Sequence, residues 1–279
     1  MNRPVVVGVD GSPSSLVAAD HAARAAVLRS RPLHLVHGYL HPLGYGVPIN
    51  PYELGIPEPS DEAEKMLRRT AADLVGRWPG LTVEARQVAG GPGATLVEES
   101  RRAELVVVGS RGHGGFAGLL LGSVGTQITT HAHCPVLVVR PAEEPIPVEG
   151  PVLVGVDGSE AAELAVGQAA DEAARREAEL VLVHVRPPGA DAAAAAELLD
   201  TATAAAGGSH PGLTVTPREL HADKPETALI DASRDAALVV VGSRGRGGFT
   251  GMLLGSVSQS LVQHAHCPVL VAHPYGHAR

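Results

Sequence analysis

The sequence predicts an α/β protein built from two tandem, doubly wound domains, each a parallel sheet with helices on both faces. Three observations predict it. Stretches of the chain are written twice: PVVVGVDGS at 4–12 returns as PVLVGVDGS at 151–159, and HAHCPVLV at 131–138 returns at 264–271. Within each copy, short apolar runs alternate with amphipathic stretches, as strands covered by crossover helices do. The chain has 279 residues, 44% hydrophobic and 19% charged, which is the length and balance of two ordinary globular domains.

The elements of the first copy follow in order. VVVGV (5–9) is a short buried strand, and a helix runs from Ser14 to about Ser30. LHLVHG (33–38) is the second strand, and LTVEARQV (81–88) alternates as a third. ATLVEESRR (94–102) is helical and LVVVGS (105–110) is the fourth strand. A glycine-rich loop comes next, then a helix starting near Ser123, then the last strand, PVLVVR (135–140). The second copy repeats this order. Its offset is 147 residues at the first-strand aspartate and 133 at the glycine loop. The difference is a deletion between the second and third strands, where the first copy carries PLGYGVPINPYELGIPEP and the second PPGADAAAAAE. PAEEPIPVEG (141–150) is rich in proline and acid and reads as the linker, so the domains are 1–140 and 151–279. Right-handed crossovers make each sheet doubly wound. A ligand then sits at the carboxyl ends of the strands, where their order reverses.

Charge and cysteine usage exclude some classes. A net charge of −8, with Lys65 and Lys224 the only lysines, argues against nucleic acid as a partner. Cys134 and Cys267 are too few for a disulfide framework and occupy matching contexts, one per copy. No apolar run reaches membrane-spanning length, and the N-terminus carries no long apolar segment. A soluble, cytoplasmic protein with no membrane partner is expected.

Both copies contain G-x2-G-x9-G-S: Gly109, Gly112, Gly122 and Ser123 in the first, Gly242, Gly245, Gly255 and Ser256 in the second. The first glycine ends a strand, and the last glycine and serine open a helix. Glycines let backbone approach a ligand or turn with positive φ, and free N–H groups at a helix start attract anions. A polyphosphate suits such a loop. A tight turn with Ser123 and Ser256 as N-caps also suits it. Between 106–139 and 239–272, 24 of 34 positions match, yet the middle of the following helix has changed from GTQITT to SQSLVQ. The loop has held where the helix drifted. It is not a Walker loop, since no lysine follows the glycines. The cations at hand are Arg111 and Arg244, with Arg246 where the first copy has His113. They clamp phosphate or stand in solvent.

Asp10 and Asp157 sit at the tip of the first strand of each copy. An acid there accepts from a ribose hydroxyl or helps hold a metal; it is equally an N-cap or turn residue. Gly8 and Gly155 leave room for a flat base or sugar against the strand.

Taken together, V-G-V-D-G-S opening each half, G-x2-G-x9-G-S in each half and H-C-P-V-L-V on each last strand resemble the universal stress protein family in its tandem form. The likeness covers nearly the whole chain. It implies a five-stranded, Rossmann-like parallel sheet per domain, of the adenine-nucleotide-binding type. It also implies ATP at the glycine loop, with Mg²⁺ as a candidate companion. Carried over by position, the phosphates fall to Gly109, Gly112, Gly122, Ser123 and Val124, and to Gly242, Gly245, Gly255, Ser256 and Val257. The nucleoside falls near Asp10 and Asp157, and the adenine near Gly38 and Ala89 in one half and Val185 and Ala222 in the other. Gly38 departs from the usual aliphatic residue. The family pairs domains through the last strand, which implies pairing of PVLVVR with PVLVAH and a homodimer of chains.

HAHC at 131–134 and 264–267 looks like a metal cluster, but it runs into a strand, where neighbouring side chains diverge. Structural histidines and buried cysteines are expected instead, with no metal. No nucleophile–base pair is visible and the glycine loop carries no carboxylate, so at most slow ATP hydrolysis is expected from a stress-response regulator. The alternatives are an ATP-using transferase or phosphotransferase, and a dimeric scaffold that binds an unknown protein. In the scaffold reading the proline-rich stretch 42–59 docks the partner; otherwise it is a lid.

Overall fold

A computed structural model describes residues 3–39, 60–112, 121–141, 149–245 and 254–276. Packing divides the chain into two compact units: Met1–Cys134 with Tyr275–Arg279, and Pro135–Pro274.

Unit 1 contains β1 (Val5–Gly8), α1 (Pro13–Leu28), β2 (Leu33–Tyr39), α2 (Asp61–Arg77), β3 (Val83–Ala89), α3 (Pro92–Ser100), β4 (Leu105–Gly109) and α4 (Ser123–His131). Its strands lie in the order β3-β2-β1-β4, all parallel, with Val5 opposite Leu33 on one side and Leu105 on the other. The central strand has no polar side chain, and Val5, Val6 and Val7 are fully buried. Helices cover it on both faces, which is why the run reads as continuously apolar rather than alternating. Ser12 starts α1 by accepting a hydrogen bond from the Ser15 N–H at 3.2 Å, with Pro13 in the first turn. The buried face of α1 is almost entirely alanine: Ala18, Ala19, Ala22, Ala23, Ala25 and Ala26. Alanine costs no side-chain entropy and lets the helix lie close to the sheet.

Unit 2 holds β5 (Val136–Val139), β6 (Val152–Gly155), α5 (Glu160–Arg176), β7 (Leu180–Arg186), α6 (Ala192–Ser209), β8 (Val215–His221), α7 (Pro225–Ala232), β9 (Leu238–Gly242), α8 (Ser256–His264) and β10 (Val269–Ala272). The order β8-β7-β6-β9-β10 is a complete five-stranded parallel sheet. β8 carries Pro217, which an outer strand tolerates because one side needs no ladder N–H. β5 adds to β10 in antiparallel register, with Leu137 opposite Leu270. The pairing of PVLVVR with PVLVAH is therefore present.

The predicted elements appear with small shifts at their ends. α3 begins at Pro92 rather than residue 94, because proline suits the first helical position. Between the second and third strands, where no helix is expected from the sequence, lie α2 and α6, with 17 and 18 residues. The length difference between the copies falls before them: β2 ends at Tyr39 and α2 starts at Asp61, whereas only five residues separate Arg186 from Ala192. The stretch 42–59, together with His113 and Arg246, lies outside the described residues. Among the described residues no helix is long and apolar enough to cross a membrane.

Candidate functional site

In unit 1 the strand order reverses between β1 and β4, and a cavity of about 520 Å³ opens at their carboxyl ends. Unit 2 has a counterpart of about 470 Å³ at β6 and β9. Both lie within the range of small-molecule sites, about 300–1,000 Å³.

The residues expected from sequence converge on these cavities, with one pair excepted. Gly8, Asp10, Gly38, Gly109, Arg111, Gly112, Gly122, Ser123 and Val124 line the first. Gly155, Asp157, Val185, Gly242, Arg244, Gly245, Gly255, Ser256 and Val257 line the second. Ala89 and Ala222 line neither. Ala89 ends β3 beside Tyr39, and the Ala222 N–H donates to the Arg186 carbonyl at 3.3 Å after β8. Ala89 ends the outermost strand of its unit and Ala222 follows that of the other, one strand farther from the switch point than Gly38 and Val185.

The turn after the first strand is built the same way twice. Asp10 Oδ1 accepts from the Ser12 N–H at 2.9 Å, and Asp157 Oδ1 accepts from the Ser159 N–H at 3.0 Å and its hydroxyl at 2.6 Å. The following serine, not the aspartate, is the N-cap: Ser159 accepts from the Ala162 N–H at 3.2 Å, as Ser12 does from Ser15. Gly11 and Gly158 supply the left-handed backbone, with φ of +83° and +75°. The expectation of positive φ in the glycine loop thus moves to this turn; no described glycine of G-x2-G-x9-G-S has it.

The three loop glycines serve three purposes. A Cβ at Gly109 would stand 2.8 Å from the backbone of Ser14, and one at Gly242 would stand 2.7 Å from that of Ala161. The first glycine therefore lets α1 and α5 close onto the sheet. A Cβ at Gly112 or Gly245 would stand 2.5 Å from Oδ2 of Asp10 or Asp157. The second glycine makes room for the carboxylate, which borders the loop as well as the strand tip. The third is different: at Gly122 the nearest atom to a Cβ is 3.7 Å away, and at Gly255 3.4 Å, both ordinary contacts. No described protein atom demands glycine there.

Gly122 and Gly255 are also the N-caps of α4 and α8, and neither has a side chain to cap with. Ser123 and Ser256 are the first helical residues rather than the caps. Among the described α-helices, α1, α2, α5 and α6 are capped by Ser12, Ser60, Ser159 and Asp191. The four α-helices without a side-chain cap are α3, α4, α7 and α8, and the first turn of every one of them lines a cavity. Arg111 and Arg244 stand exposed beside them.

His37 and His184 also line the cavities and were not singled out from the sequence. Nδ1 of His37 lies 2.7 Å from the Val9 carbonyl, and Nδ1 of His184 lies 2.8 Å from that of Val156. A carbonyl only accepts, so each ring carries a proton on Nδ1. The signal was the Val-His pair repeated at 36–37 and 183–184.

In the two HAHC segments the alanine and cysteine are buried, while His131, His264 and His266 are exposed and His133 is half-buried. Cys134 and Cys267 are buried thiols in no disulfide, and burial pushes both up to about 12. The His133 and His266 N–H groups donate to the hydroxyls of Ser100 and Ser233, each at 2.9 Å. Among the described residues no cluster of three or more His, Cys, Asp or Glu side chains forms a metal site.

The universal stress protein family matches residues 1–140 and 150–273. Universal stress protein Rv2623 of Mycobacterium tuberculosis is 40% identical over 288 residues, covering 96% of this chain and 95% of that protein. Universal stress protein Rv2005c of the same organism is 41% identical over 285 residues, covering 96% of each. Among solved structures, a universal stress protein from Archaeoglobus fulgidus superposes with a TM-score of 0.73 over 98% of this chain and 97% of that one. Its 22% identity makes that a likeness of fold alone.

Proposed function

The chain belongs to the universal stress protein family, and on that premise we propose that each unit binds one ATP and that the protein is a cytoplasmic stress-response regulator whose conformation follows its nucleotide. The observation that carries the reading is the coincidence of uncapped helices with cavities. Helix starts elsewhere are closed by their own side chains, whereas the four at the cavities are left for a ligand. Bare first-turn N–H groups at the positive end of a helix favour an anion. At α4 these are the N–H groups of Ser123 and Val124, and at α8 those of Ser256 and Val257. Gly122 and Gly255, which no protein contact requires, keep side chains out of the phosphate path. Arg111 and Arg244 complete the anionic end.

From there the ligand crosses the central strand. Asp10 or Asp157 receives the ribose hydroxyls, and the base reaches the second strand. Were Mg²⁺ to accompany the phosphates, Asp10 and Asp157 would be the acids to hold it in place of their ribose role, since the ion keeps most of its waters and needs only one or two carboxylates, and it would supply charge neutralisation. Hydrolysis is slow at most. The glycine loop of each copy carries no carboxylate to act as general base beside the phosphates. Two buried thiols that form no disulfide suit a reducing compartment. A homodimer through the last strands would have to use side chains rather than the β10 edge, since β10 is bonded to β9 on one side and β5 on the other.

The test is to release and count bound nucleotide from purified protein, then to repeat the count with Gly122→Glu. Two ATP per chain are expected in the native protein. One is expected in the variant, where bulk and like charge block the first site. An unchanged count in the variant removes the phosphate assignment. No nucleotide bound, and none taken up, leaves the protein-docking reading.

A further inference from the structure

The two cavities are close to copies of each other, and the few departures are informative. Aligned by the repeats, their shared lining differs at three positions: Ser15 against Ala162, Gly38 against Val185, and Gly125 against Ser258. Two of these differences are spent inside the protein. The Ser15 hydroxyl donates to the Ser12 carbonyl at 2.9 Å and accepts from the Asp10 N–H at 3.3 Å. The Ser258 hydroxyl is buried and donates to the Gly242 carbonyl at 2.6 Å. Neither changes what a ligand meets.

The third difference does. In unit 1, a Cβ at Gly38 would stand 2.7 Å from Cα of Pro92 and 3.4 Å from the Gly90 carbonyl oxygen. The backbone that starts α3 occupies the place of a side chain, and Gly90 makes the turn with φ of +144°. In unit 2, Val185 fills that place, the turn runs through Asp223 without positive φ, and Pro225 follows. One cavity presents peptide backbone at this end, and the other an isopropyl group.

The position of the difference within the cavity decides its consequence. Gly38 and Val185 lie on β2 and β7, while the uncapped starts of α4 and α8 follow β4 and β9. The central strand β1 or β6 lies between. Neighbouring strands are about 4.8 Å apart, so the two ends are separated by about 10 Å. A nucleotide with phosphates at one end therefore has its ring at the other. An aliphatic side chain gives an aromatic ring apolar contact and sheds water; a peptide edge keeps its water.

We infer that the two sites are unequal, and that Val185 makes the site of unit 2 the tighter one for nucleotides by packing against the base. The inference rests on the nucleotide reading above and adds an order of filling to it: unit 2 first, unit 1 only at higher concentration. The expected gap is about tenfold in Kd, the scale of one aliphatic contact.

The experiment is calorimetric titration of nucleotide-stripped full-length protein with ATP and separately with AMP. Wild type should show two classes of site about tenfold apart. Gly122→Glu should abolish the weaker class and Gly255→Glu the tighter, which assigns the sites without touching residue 185. Val185→Gly should merge the classes at the weaker affinity and cost ATP and AMP the same factor, because the contact is to the ring. Two equal classes in wild type overturn the inference while leaving nucleotide binding intact. So does loss of the tighter class in Gly122→Glu, or a Val185→Gly isotherm that overlays wild type. If no nucleotide binds wild type, the nucleotide reading fails, and this inference fails with it.

Discussion

At the residue scale, the duplicated motifs separate residues that hold the fold from residues that face a ligand. The cysteines belong to the first kind. Burial pushes Cys134 and Cys267 from an ordinary 9.0 up to about 12. A neutral thiol is a poor nucleophile, so at pH 8 a thiol reagent should label neither cysteine in the native protein and both in denaturant. Rapid labelling of native protein would contradict the packing described. The raised values also carry a sign. Each thiol contributes stability that is intact below pH 9 and is lost as pH climbs towards 12, because the unfolded chain ionises first. The aspartates belong to both kinds. Their position at the strand tip was legible in V-G-V-D-G-S. Their contact with the second loop glycine was not, because it joins residues 10 and 112, which lie far apart in the chain.

At the element scale, the glycine loop is three devices in sequence, and mutagenesis should tell them apart. Gly109→Ala drives a methyl into the backbone of Ser14, so α1 must shift on the sheet. Overpacking of this kind costs ~1–3 kcal/mol, and urea unfolding of ligand-free protein should show the loss. Gly122→Ala meets nothing closer than 3.7 Å and should leave that curve within about 0.5 kcal/mol of wild type. If the two variants unfold alike, the division of labour among the glycines is wrong. Spacing alone could not reveal this division. A glycine reads the same in sequence whether its missing Cβ makes room for a helix, a carboxylate or a ligand. Helix starts were no more legible: Asp10 and Asp157 were candidate caps, and the serines two residues on, Ser12 and Ser159, take that place. Ser123 and Ser256 resemble caps in sequence and are not, because the chain enters those helices one residue earlier, through glycine.

At the scale of the whole molecule, the repeats of the sequence and the units of packing do not coincide. β5 belongs to the first repeat by sequence and to unit 2 by contact, where it pairs with β10. The C-terminal Tyr275 and Gly276 belong to unit 1. There the Gly276 N–H donates to the His133 carbonyl at 2.7 Å, the Arg3 guanidinium donates to the Gly276 carbonyl at 3.2 Å, and Arg3 lies 5.4 Å from the centroid of the Tyr275 ring. Each unit is thus completed by a segment from the other half of the chain. Ligand binding should register globally. At an ATP concentration about a hundredfold above Kd, each occupied site adds about 2.7 kcal/mol, a rise of several degrees in Tm by scanning calorimetry. A melting curve unmoved by saturating ATP would count against both sites.

By itself the sequence determined the strand–helix alternation, the duplication, the place of the ligand edge and about half of the cavity lining. These follow from local chemistry: apolar runs must be buried, strands and helices repeat with different periods, and ligands meet the carboxyl ends of parallel strands. The tertiary structure alone decided which unit β5 joins, why each loop glycine is there, and that the backbone of Pro92 stands where a side chain at Gly38 would be. Each of these depends on atoms brought together from distant parts of the chain, where a contact of 2.7 Å or 3.7 Å decides what one missing methyl means.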